Sequence, residues 1–211
     1  MFVRICRFVF FSLFVRPIVF FLLGVNIQGR ERLPEDGPAI VVANHNSHLD
    51  TVVLMMACPK KAFPKLRPVA AADYFLKNKL VSWFSLNIIR IIPIHRKKEE
   101  RTGDPLAPIS DALRAGEIVI FFPEGSRGEP EQMTRFKSGI ARLAERHPQV
   151  PVVPVFMRGL GRALPRGEGL LVPFFLDLYV GQPRCWHAHF MEQLQTTMDE
   201  LSRQGHVPRW D

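Results

Sequence analysis

Six short, mostly apolar runs alternate along this chain with segments of helical periodicity. The runs are Ala39–Ala43, Arg67–Ala71, Ile88–Ile94, Ile118–Phe122, Val152–Phe156 and Phe175–Val180. The helical segments are Leu49–Ala57, Asp73–Asn78, Lys79–Leu86, Pro105–Ala115, Gly139–Glu145 and Phe190–Arg203. Apolar strands separated by helices are typical of a parallel sheet that is covered on both faces. The sequence therefore predicts an α/β fold with a mainly parallel central sheet flanked by helices.

The amino-terminal segment has a different pattern, because Phe8–Phe14 and Ile18–Val25 are apolar on nearly every helical face. No small-residue cleavage site of a signal peptide follows them. In a straight spanning helix, Arg16 would lie near the centre, where a charge is unfavourable. A helix that breaks at Pro17 and embeds in one leaflet fits both halves, with Arg16 reaching lipid phosphates. A single tilted span is the alternative.

The formal charge of +8, from 28 Lys and Arg against 20 Asp and Glu, favours a polyanionic partner. We expect membrane lipid and no nucleic acid, since an apolar start has no use in nucleic-acid binding and no recognised module occurs. Cys6, Cys58 and Cys185 lack CxxC spacing, which indicates a reducing compartment. We therefore predict a membrane-associated helical segment over residues 1–27 and an α/β domain over 28–211. We place the protein at the cytoplasmic face of the cell (inner) membrane, monotopic or single-pass.

The segment Asn44-His45-Asn46-Ser47-His48-Leu49-Asp50 directly follows the first predicted strand. A strand, a loop and a helix would bring His45 and Asp50 to one open edge of the sheet. There Asp50 can hold the imidazole in one tautomer, so that its free nitrogen removes a proton from a substrate hydroxyl. One alternative is a loop histidine that caps the helix. Another is a metal site formed by His45, His48 and Asp50, which we disfavour because no second carboxylate-rich cluster completes it.

A second polar turn, Pro123–Gly128, follows the fourth predicted strand. Arg127 offers a forked donor geometry that matches phosphate, and exposed backbone N–H groups at the turn add to it. Glu124 can aim Arg127 or accept a hydrogen bond from a substrate hydroxyl. Arg96 and Lys137 can supply positive charge to the same phosphate, and Lys137 precedes a predicted helix. The alternative is a surface turn with solvated charges. A nucleotide P-loop is excluded because its motif is absent.

Taken in order, these segments resemble four sequence blocks of the glycerolipid acyltransferases, specifically the 1-acyl-glycerol-3-phosphate (lysophosphatidic acid) acyltransferases. The blocks are N-H-x-x-x-x-D, a strand ending in arginine, F-P-E-G-[TS]-R and an apolar V-P-V-x-P-V-like strand. They correspond to Asn44–Asp50, Ile91–Arg96, Phe122–Arg127 and Val150–Val155. The resemblance covers most of the chain, from about Gly29 to Gly181. Two departures, Gly128-Glu129-Pro130-Glu131 and His95 before Arg96, bear on the acceptor's head group.

The resemblance implies an O-acyltransferase in which His45 is the general base and Asp50 its orienting partner. It implies five residues around the glycerol phosphate of the acceptor: Glu124, Gly125, Arg127, Arg96 and Lys137. The fourth block would line the acyl-donor site or shape the core. The donor would be an acyl thioester of coenzyme A or of acyl carrier protein, with no bound cofactor and no metal. Because no serine lies in a G-x-S-x-G elbow, we expect direct attack by the acceptor hydroxyl.

The predicted reaction is acylation of 1-acyl-glycerol-3-phosphate to phosphatidate, within phospholipid biosynthesis. Another lysolipid acceptor, such as lyso-ornithine lipid, is an alternative within the same class. A non-catalytic membrane-binding protein and a metal hydrolase acting on lipid esters are alternatives from other classes. Loss of activity in His45→Ala, with membrane association intact, would separate the enzyme from the non-catalytic protein.

Overall fold

The computed structural model describes residues 2–47, 49–95, 103–126, 128, 133–163 and 175–204. Within these residues a seven-stranded sheet has the order β1-β7-β6-β2-β5-β3-β4. Its strands are β1 (Val25–Gln28), β2 (Ala39–Ala43), β3 (Leu66–Ala71), β4 (Ile92–Ile94), β5 (Ile118–Phe121), β6 (Val152–Arg158) and β7 (Leu176–Val180). Neighbouring strands are parallel, except that β6 and β7 are antiparallel. The predicted mainly parallel sheet is confirmed.

Helices cover both faces of this sheet, as the alternating pattern predicts. The α-helices of the described residues are α1 (Phe2–Val9), α2 (Asp50–Ala57), α3 (Ala72–Phe75), α4 (Lys79–Phe84), α5 (Ala107–Arg114), α6 (Gly139–Arg146), α7 (Leu160–Ala163) and α8 (Phe190–Arg203). The π-helical segments are Phe10–Val15, Ile18–Leu22 and Ser85–Ile89, and short 3₁₀ turns span Arg30–Arg32 and Phe63–Lys65. One core cluster joins the amino-terminal segment and α2 to one sheet face. The second core cluster joins α5, α6 and α8 to the opposite face of the sheet.

Strand β2 lies at the centre of the sheet, between β5 and β6, and all five of its residues are buried. Its side chains alternate between the two cores, with Val41 on one face and Ile40 and Val42 on the other. Because β2, β3 and β5 are parallel, their carboxyl ends open at one edge of the sheet, where loops of α/β proteins collect functional residues. The loops after β2 and β5 carry the two motifs singled out above.

Two strand assignments differ from the sequence-based expectation. β1 was not expected, because its four residues alternate between half-buried and exposed and directly follow the apolar amino-terminal run. The predicted strand Ile88–Ile94 is wrong in its first half, since Ser85–Ile89 is π-helical and Arg90 has a φ of 66°. A short apolar run is equally compatible with a buried helix and with a buried strand. Ile88 is buried in the core, so its apolar character did not distinguish the two.

The predicted break of the amino-terminal helix at Pro17 is also wrong. The backbone dihedral angles of Arg16 and Pro17 are helical, and π-helical segments lie on both sides of them. In this wider winding, N–H groups donate to the carbonyl five residues back, which relieves the clash that a proline ring makes in an α-helix. Among the described residues, no helix combines the length and apolar content needed to cross a membrane.

One side of this amino-terminal segment packs on the domain and the other is exposed. The packed side consists of Phe11, Val15, Val19 and Leu23, spaced by four residues and all buried in the core. Exposed large side chains include Phe8, Leu13 and Phe21. The segment is therefore an integral layer of the fold that keeps one apolar surface uncovered.

Candidate active site

His45 is the second residue of the loop after β2 and is fixed through four separate contacts. Its ring Nδ1 lies 2.8 Å from Asp50 Oδ2. Its backbone N–H donates to Glu124 Oε1 at 2.9 Å, and its carbonyl accepts from the Gly128 N–H at 2.9 Å. Its ring stacks on Phe122, with centroids 4.3 Å apart and an interplanar angle of 23°. Both main chain and imidazole are thus held, while the side chain keeps 22% of its surface exposed.

The carboxylate of Asp50 organises the turn that carries His45. Asp50 begins α2 and is 1% exposed. Its Oδ2 accepts from the backbone N–H groups of Asn46 at 2.6 Å and Ser47 at 2.9 Å, besides contacting His45 Nδ1. Peptide N–H groups only donate, so Oδ2 is an acceptor, and a proton on Nδ1 of His45 completes its coordination. The lone pair of neutral His45 then lies on Nε2, the nitrogen left for a substrate.

Glu124 links the loops that follow β2 and β5. Its side chain is buried, with 2% exposure, and both carboxylate oxygens accept hydrogen bonds from the protein. Oε1 accepts from the His45 N–H, while Oε2 accepts from the Thr134 N–H at 3.1 Å and the Thr134 hydroxyl at 2.7 Å. A buried carboxylate is stabilised by such donors. Arg127, which belongs to the same predicted motif as Glu124, lies outside the described residues.

Gly125 and Lys137 meet at the turn after β5. Gly125 has a φ of 74°, in the left-handed region, and a Cβ at this position would lie 2.7 Å from Lys137 Nζ. The backbone N–H of Lys137 donates to the Pro123 carbonyl at 3.0 Å, which anchors the residue beside the turn. The structure therefore brings Lys137 to the predicted phosphate turn. Arg96, the further cation expected there, lies outside the described residues.

Three contacts of this site were not expected from the sequence. The Asn44 side chain donates to the Met157 carbonyl at 2.9 Å and accepts from the Met157 N–H at 2.7 Å, which ties the loop to β6. The second contact is the stacking of the Phe122 ring on the His45 ring. Asn44 and Phe122 both lie inside the recognised blocks, so their position was a signal, although no role was assigned to them. Thr134, by contrast, lies ten residues after Glu124 in an irregular segment without any local pattern.

The metal alternative concerned His45, His48 and Asp50. Among the described residues, no group of three or more His, Cys, Asp or Glu side chains is arranged to hold a metal ion. His48 lies outside the described residues. The described contacts of His45 and Asp50 are with protein donors and acceptors, an arrangement suited to proton transfer at a hydroxyl.

Comparison with protein-family models gives a match over residues 24–158 to the family described as Acyltransferase. The matched residues make up more than half of the chain and run from the segment before β1 to the end of β6. They include His45, Asp50, Glu124 and Lys137.

The chain is also similar to curated proteins. It is 32% identical over 149 residues to the chloroplastic 1-acyl-sn-glycerol-3-phosphate acyltransferase LPAT1 of Arabidopsis thaliana, covering 70% of this chain and 40% of that protein. It is 30% identical over 161 residues to the probable 1-acyl-sn-glycerol-3-phosphate acyltransferase of Mycoplasma pneumoniae, covering 75% and 56% respectively. The chain thus spans about two fifths of the length of its chloroplast relatives.

A solved structure has a similar fold. It is the 1-acyl-sn-glycerophosphate (LPA) acyltransferase PlsC from Thermotoga maritima, with a TM-score of 0.75 and 20% sequence identity. The match covers 98% of this chain and 80% of that one. At this identity the likeness concerns the fold.

Proposed function

Because the chain belongs to the acyltransferase family, we propose that it transfers a fatty acyl group from a thioester to the free hydroxyl of 1-acyl-glycerol-3-phosphate, forming phosphatidate. The relatives named above supply the acceptor, since they are 1-acyl-sn-glycerol-3-phosphate acyltransferases. The observation that carries the chemistry is the 2.8 Å contact between His45 Nδ1 and Asp50 Oδ2, which leaves Nε2 directed to other partners.

The proposed reaction begins when His45 Nε2 removes the proton of the acceptor hydroxyl as the oxygen attacks the thioester carbonyl. Asp50 stabilises the imidazolium that results, and the contacts of its Oδ2 with two peptide N–H groups keep the carboxylate in place. The tetrahedral intermediate then collapses, the new ester C–O bond remains and the C–S bond breaks. The imidazolium returns its proton to the leaving thiolate, so atoms and charges balance.

The acceptor's phosphate belongs, in this proposal, at the turn after β5. Lys137 Nζ beside Gly125 supports that position, and Arg96 and Arg127 complete the proposed set of cations. Glu124 is part of the same proposal through a glycerol hydroxyl or through Arg127. The described contacts of its carboxylate support a further contribution, which is to hold the main chain of His45 in place.

The acyl donor in the proposal is coenzyme A or acyl carrier protein carrying a thioester. The donor brings the activated carbonyl, and the steps above need neither a bound cofactor nor a metal ion. The fourth sequence block falls on β6, whose residues Val152–Met157 are buried. This burial supports its proposed part in shaping the core.

We further propose that the helical part of residues 1–27, which ends before β1, attaches monotopically to the cytoplasmic face of the cell membrane. Exposed side chains such as Phe2, Phe8 and Phe21 form an apolar surface opposite the packed side of the segment. No acidic residue precedes Glu31 in the sequence, and the exposed Arg4 and Arg16 can meet lipid phosphates, whereas Arg7 donates to the Phe63 carbonyl at 3.1 Å. A segment with one face on its domain and an apolar, basic outer face fits the interface of a bilayer.

The test is acyl transfer to lysophosphatidate in detergent micelles, from radiolabelled acyl-coenzyme A and acyl carrier protein in separate reactions. We expect phosphatidate from the wild type and at least a thousandfold less from His45→Ala, on the order of the loss seen when a general base is removed. Equal product from both proteins would contradict the mechanism. Transfer to lyso-ornithine lipid but not to lysophosphatidate would contradict the acceptor.

A further inference from the structure

Exposed large apolar side chains are concentrated in two places in the described part of the chain. The first is the amino-terminal segment. The second, which we call the α3–α4 surface, lies between β3 and β4 and consists of Tyr74, Leu76, Leu80, Val81, Trp83 and Leu86. Leu80 is the most exposed of these side chains, at 80%. A concentration of this kind marks an interaction surface, whereas scattered single residues need no explanation.

The two places are in contact with each other. The rings of Phe10 in the amino-terminal segment and Phe84 at the end of α4 meet edge to face, with centroids 4.9 Å apart. Phe84 and Ile88 face the core, so that α4 is held with Leu80 and Trp83 outward. The α3–α4 surface therefore extends the apolar surface of the amino-terminal segment onto the α/β domain.

The charged residues of the α3–α4 surface indicate which kind of partner it binds. Lys77 and Lys79 are exposed between its apolar members, and the sequence contains no Asp or Glu from Tyr74 to Lys98. Leucine side chains can enter the acyl boundary of a bilayer, Trp and Tyr prefer its interface, and lysines reach anionic head groups. The combination matches an anionic membrane.

The α3–α4 surface lies close to the loop that carries His45. α3 begins directly after β3, at the same edge of the sheet as the loop that carries His45. Only β5 separates β3 from β2, so the carboxyl ends of β3 and β2 lie about 10 Å apart. A bilayer against this surface would lie next to His45, so that a lysolipid could present its hydroxyl while its acyl chain stays in the membrane.

We propose that the α3–α4 surface is a second membrane contact, which inserts Leu80 and Trp83 into an anionic bilayer and holds the His45 edge of the sheet against it. The proposal rests on the proposed function, since it gives the surface the task of meeting a membrane-borne acceptor. It differs from attachment by the amino-terminal segment alone, because a single line of contact along that segment would let the domain tilt about the axis of the segment.

The first experiment uses Trp83 as a depth probe. In a chain with Trp186→Phe and Trp210→Phe, Trp83 is the remaining tryptophan. On phosphatidylcholine–phosphatidylglycerol vesicles with brominated acyl chains, we expect a blue shift and strong quenching of its emission. A protein that floats with these vesicles but keeps unquenched Trp83 emission would overturn the proposal while leaving the amino-terminal attachment intact.

The second experiment adds one negative charge to the surface. Leu80→Glu is expected to weaken partition into the same vesicles about tenfold. It should also lower transfer to vesicle-borne lysophosphatidate while activity in micelles stays unchanged. Thr196→Glu is the matched control, because Thr196 is exposed on α8, which covers the opposite sheet face. Partition of Leu80→Glu equal to that of the control would refute the second contact.

Two outcomes separate this proposal from the proposed function. A wild type that makes no phosphatidate in micelles contradicts the proposed function. The partition of Leu80→Glu into vesicles still tests whether the α3–α4 surface binds the membrane. The other outcome concerns the oligomeric state. If the wild type is a dimer in solution and Leu80→Glu is a monomer that still binds vesicles like the wild type, the surface contacts a second copy of the chain and the membrane contact is refuted.

Discussion

Glu124 Oε1 accepts the backbone N–H of His45 at 2.9 Å, across 79 residues of sequence. The carboxylate at the turn after β5 thereby sets the position of the histidine after β2. Its second oxygen accepts two hydrogen bonds from Thr134, so the carboxylate cannot move without losing partners. The two recognised motifs are mechanically one unit, and the orientation of the imidazole depends on both.

Replacing Glu124 by Gln should slow the chemical step more than it weakens acceptor binding. The amide keeps the shape but exchanges one acceptor oxygen for an NH₂ group, which cannot accept from the His45 N–H or from the Thr134 N–H. We expect kcat to fall about a hundredfold through misplacement of His45, with a smaller change in KM for lysophosphatidate. Steady-state kinetics in micelles measures both.

Thr134→Val is the companion variant, because it removes the hydroxyl contact and keeps the backbone one. Its kcat should fall less than that of Glu124→Gln. The opposite pattern for Glu124→Gln, a raised KM with an unchanged kcat, would mean that Glu124 contacts the acceptor directly.

Asp50→Asn tests the negative charge beside His45. The asparagine amide can place its oxygen where Oδ2 now accepts all three contacts, but it carries no charge to stabilise the imidazolium that forms during proton transfer. We expect kcat to fall by a factor on the order of a thousand, as in other histidine–carboxylate pairs. The variant should remain folded by circular dichroism. A rate within a few fold of the wild type would remove Asp50 from the mechanism.

Gly125→Ala and Gly116→Ala form a matched pair of backbone substitutions. Both glycines have φ near 74°, at 74° and 73°, but a Cβ at 125 meets Lys137 Nζ, whereas one at 116 meets nothing within 4 Å. Each alanine should cost about 1 kcal/mol of stability for the left-handed backbone. In addition, Gly125→Ala should raise KM for lysophosphatidate several fold, because it displaces the ammonium. Lys137→Gln should raise KM in the same way. Equal KM values for the two alanine variants would exclude Lys137 from acceptor binding.

Cys58 should resist thiol reagents in the folded protein. Burial raises the pKa of its thiol to about 12, so that at pH 8 about one molecule in ten thousand carries the thiolate. Cys185 is exposed. Mass spectrometry after brief maleimide treatment should find label on Cys185 and none on Cys58. Comparable labelling of Cys58 would mean that this part of the core opens readily.

The same thiol predicts a loss of stability in alkali. Above the pKa of an unfolded cysteine, near 8.5, the unfolded chain releases the proton while the folded chain keeps it up to about 12. The contribution of Cys58 to the free energy of unfolding should therefore fall by about 1.4 kcal/mol per pH unit within this window. Cys58→Ser, which does not ionise there, should show a flatter dependence in urea titrations.

Local patterns predicted the elements that are bounded by clear signals. β2 matches its expected bounds because an apolar run is followed at once by Asn44 and His45, and α8 matches because its periodicity is long and regular. Ile88–Ile94 was misassigned because a short apolar run carries no period that separates helix from strand. Pro17 was misjudged because the π-helical winding around it depends on packing against the domain.

The site was predictable only as far as its residues lie within motifs. The meeting of His45 with Asp50 follows from five positions of local sequence, whereas the hydrogen bonds of Glu124 to His45 and of Asn44 to Met157 span 79 and 113 residues. Contacts of such separation depend on the strand order, which places β2 between β5 and β6. The roles of Arg96 and Arg127, which lie outside the described residues, stay predictions.

The paired hydrogen bonds between Asn44 and Met157 continue the pairing of β2 with β6 beyond the last residue of the strand. The loop that carries His45 thus shares the rigidity of the most buried strands in the molecule. On gradual heating, catalytic competence and the cooperative melting of the sheet should therefore disappear together. Amide hydrogens around His45 should exchange as slowly as those of the core, in contrast to enzymes whose reactive loops open long before the domain unfolds.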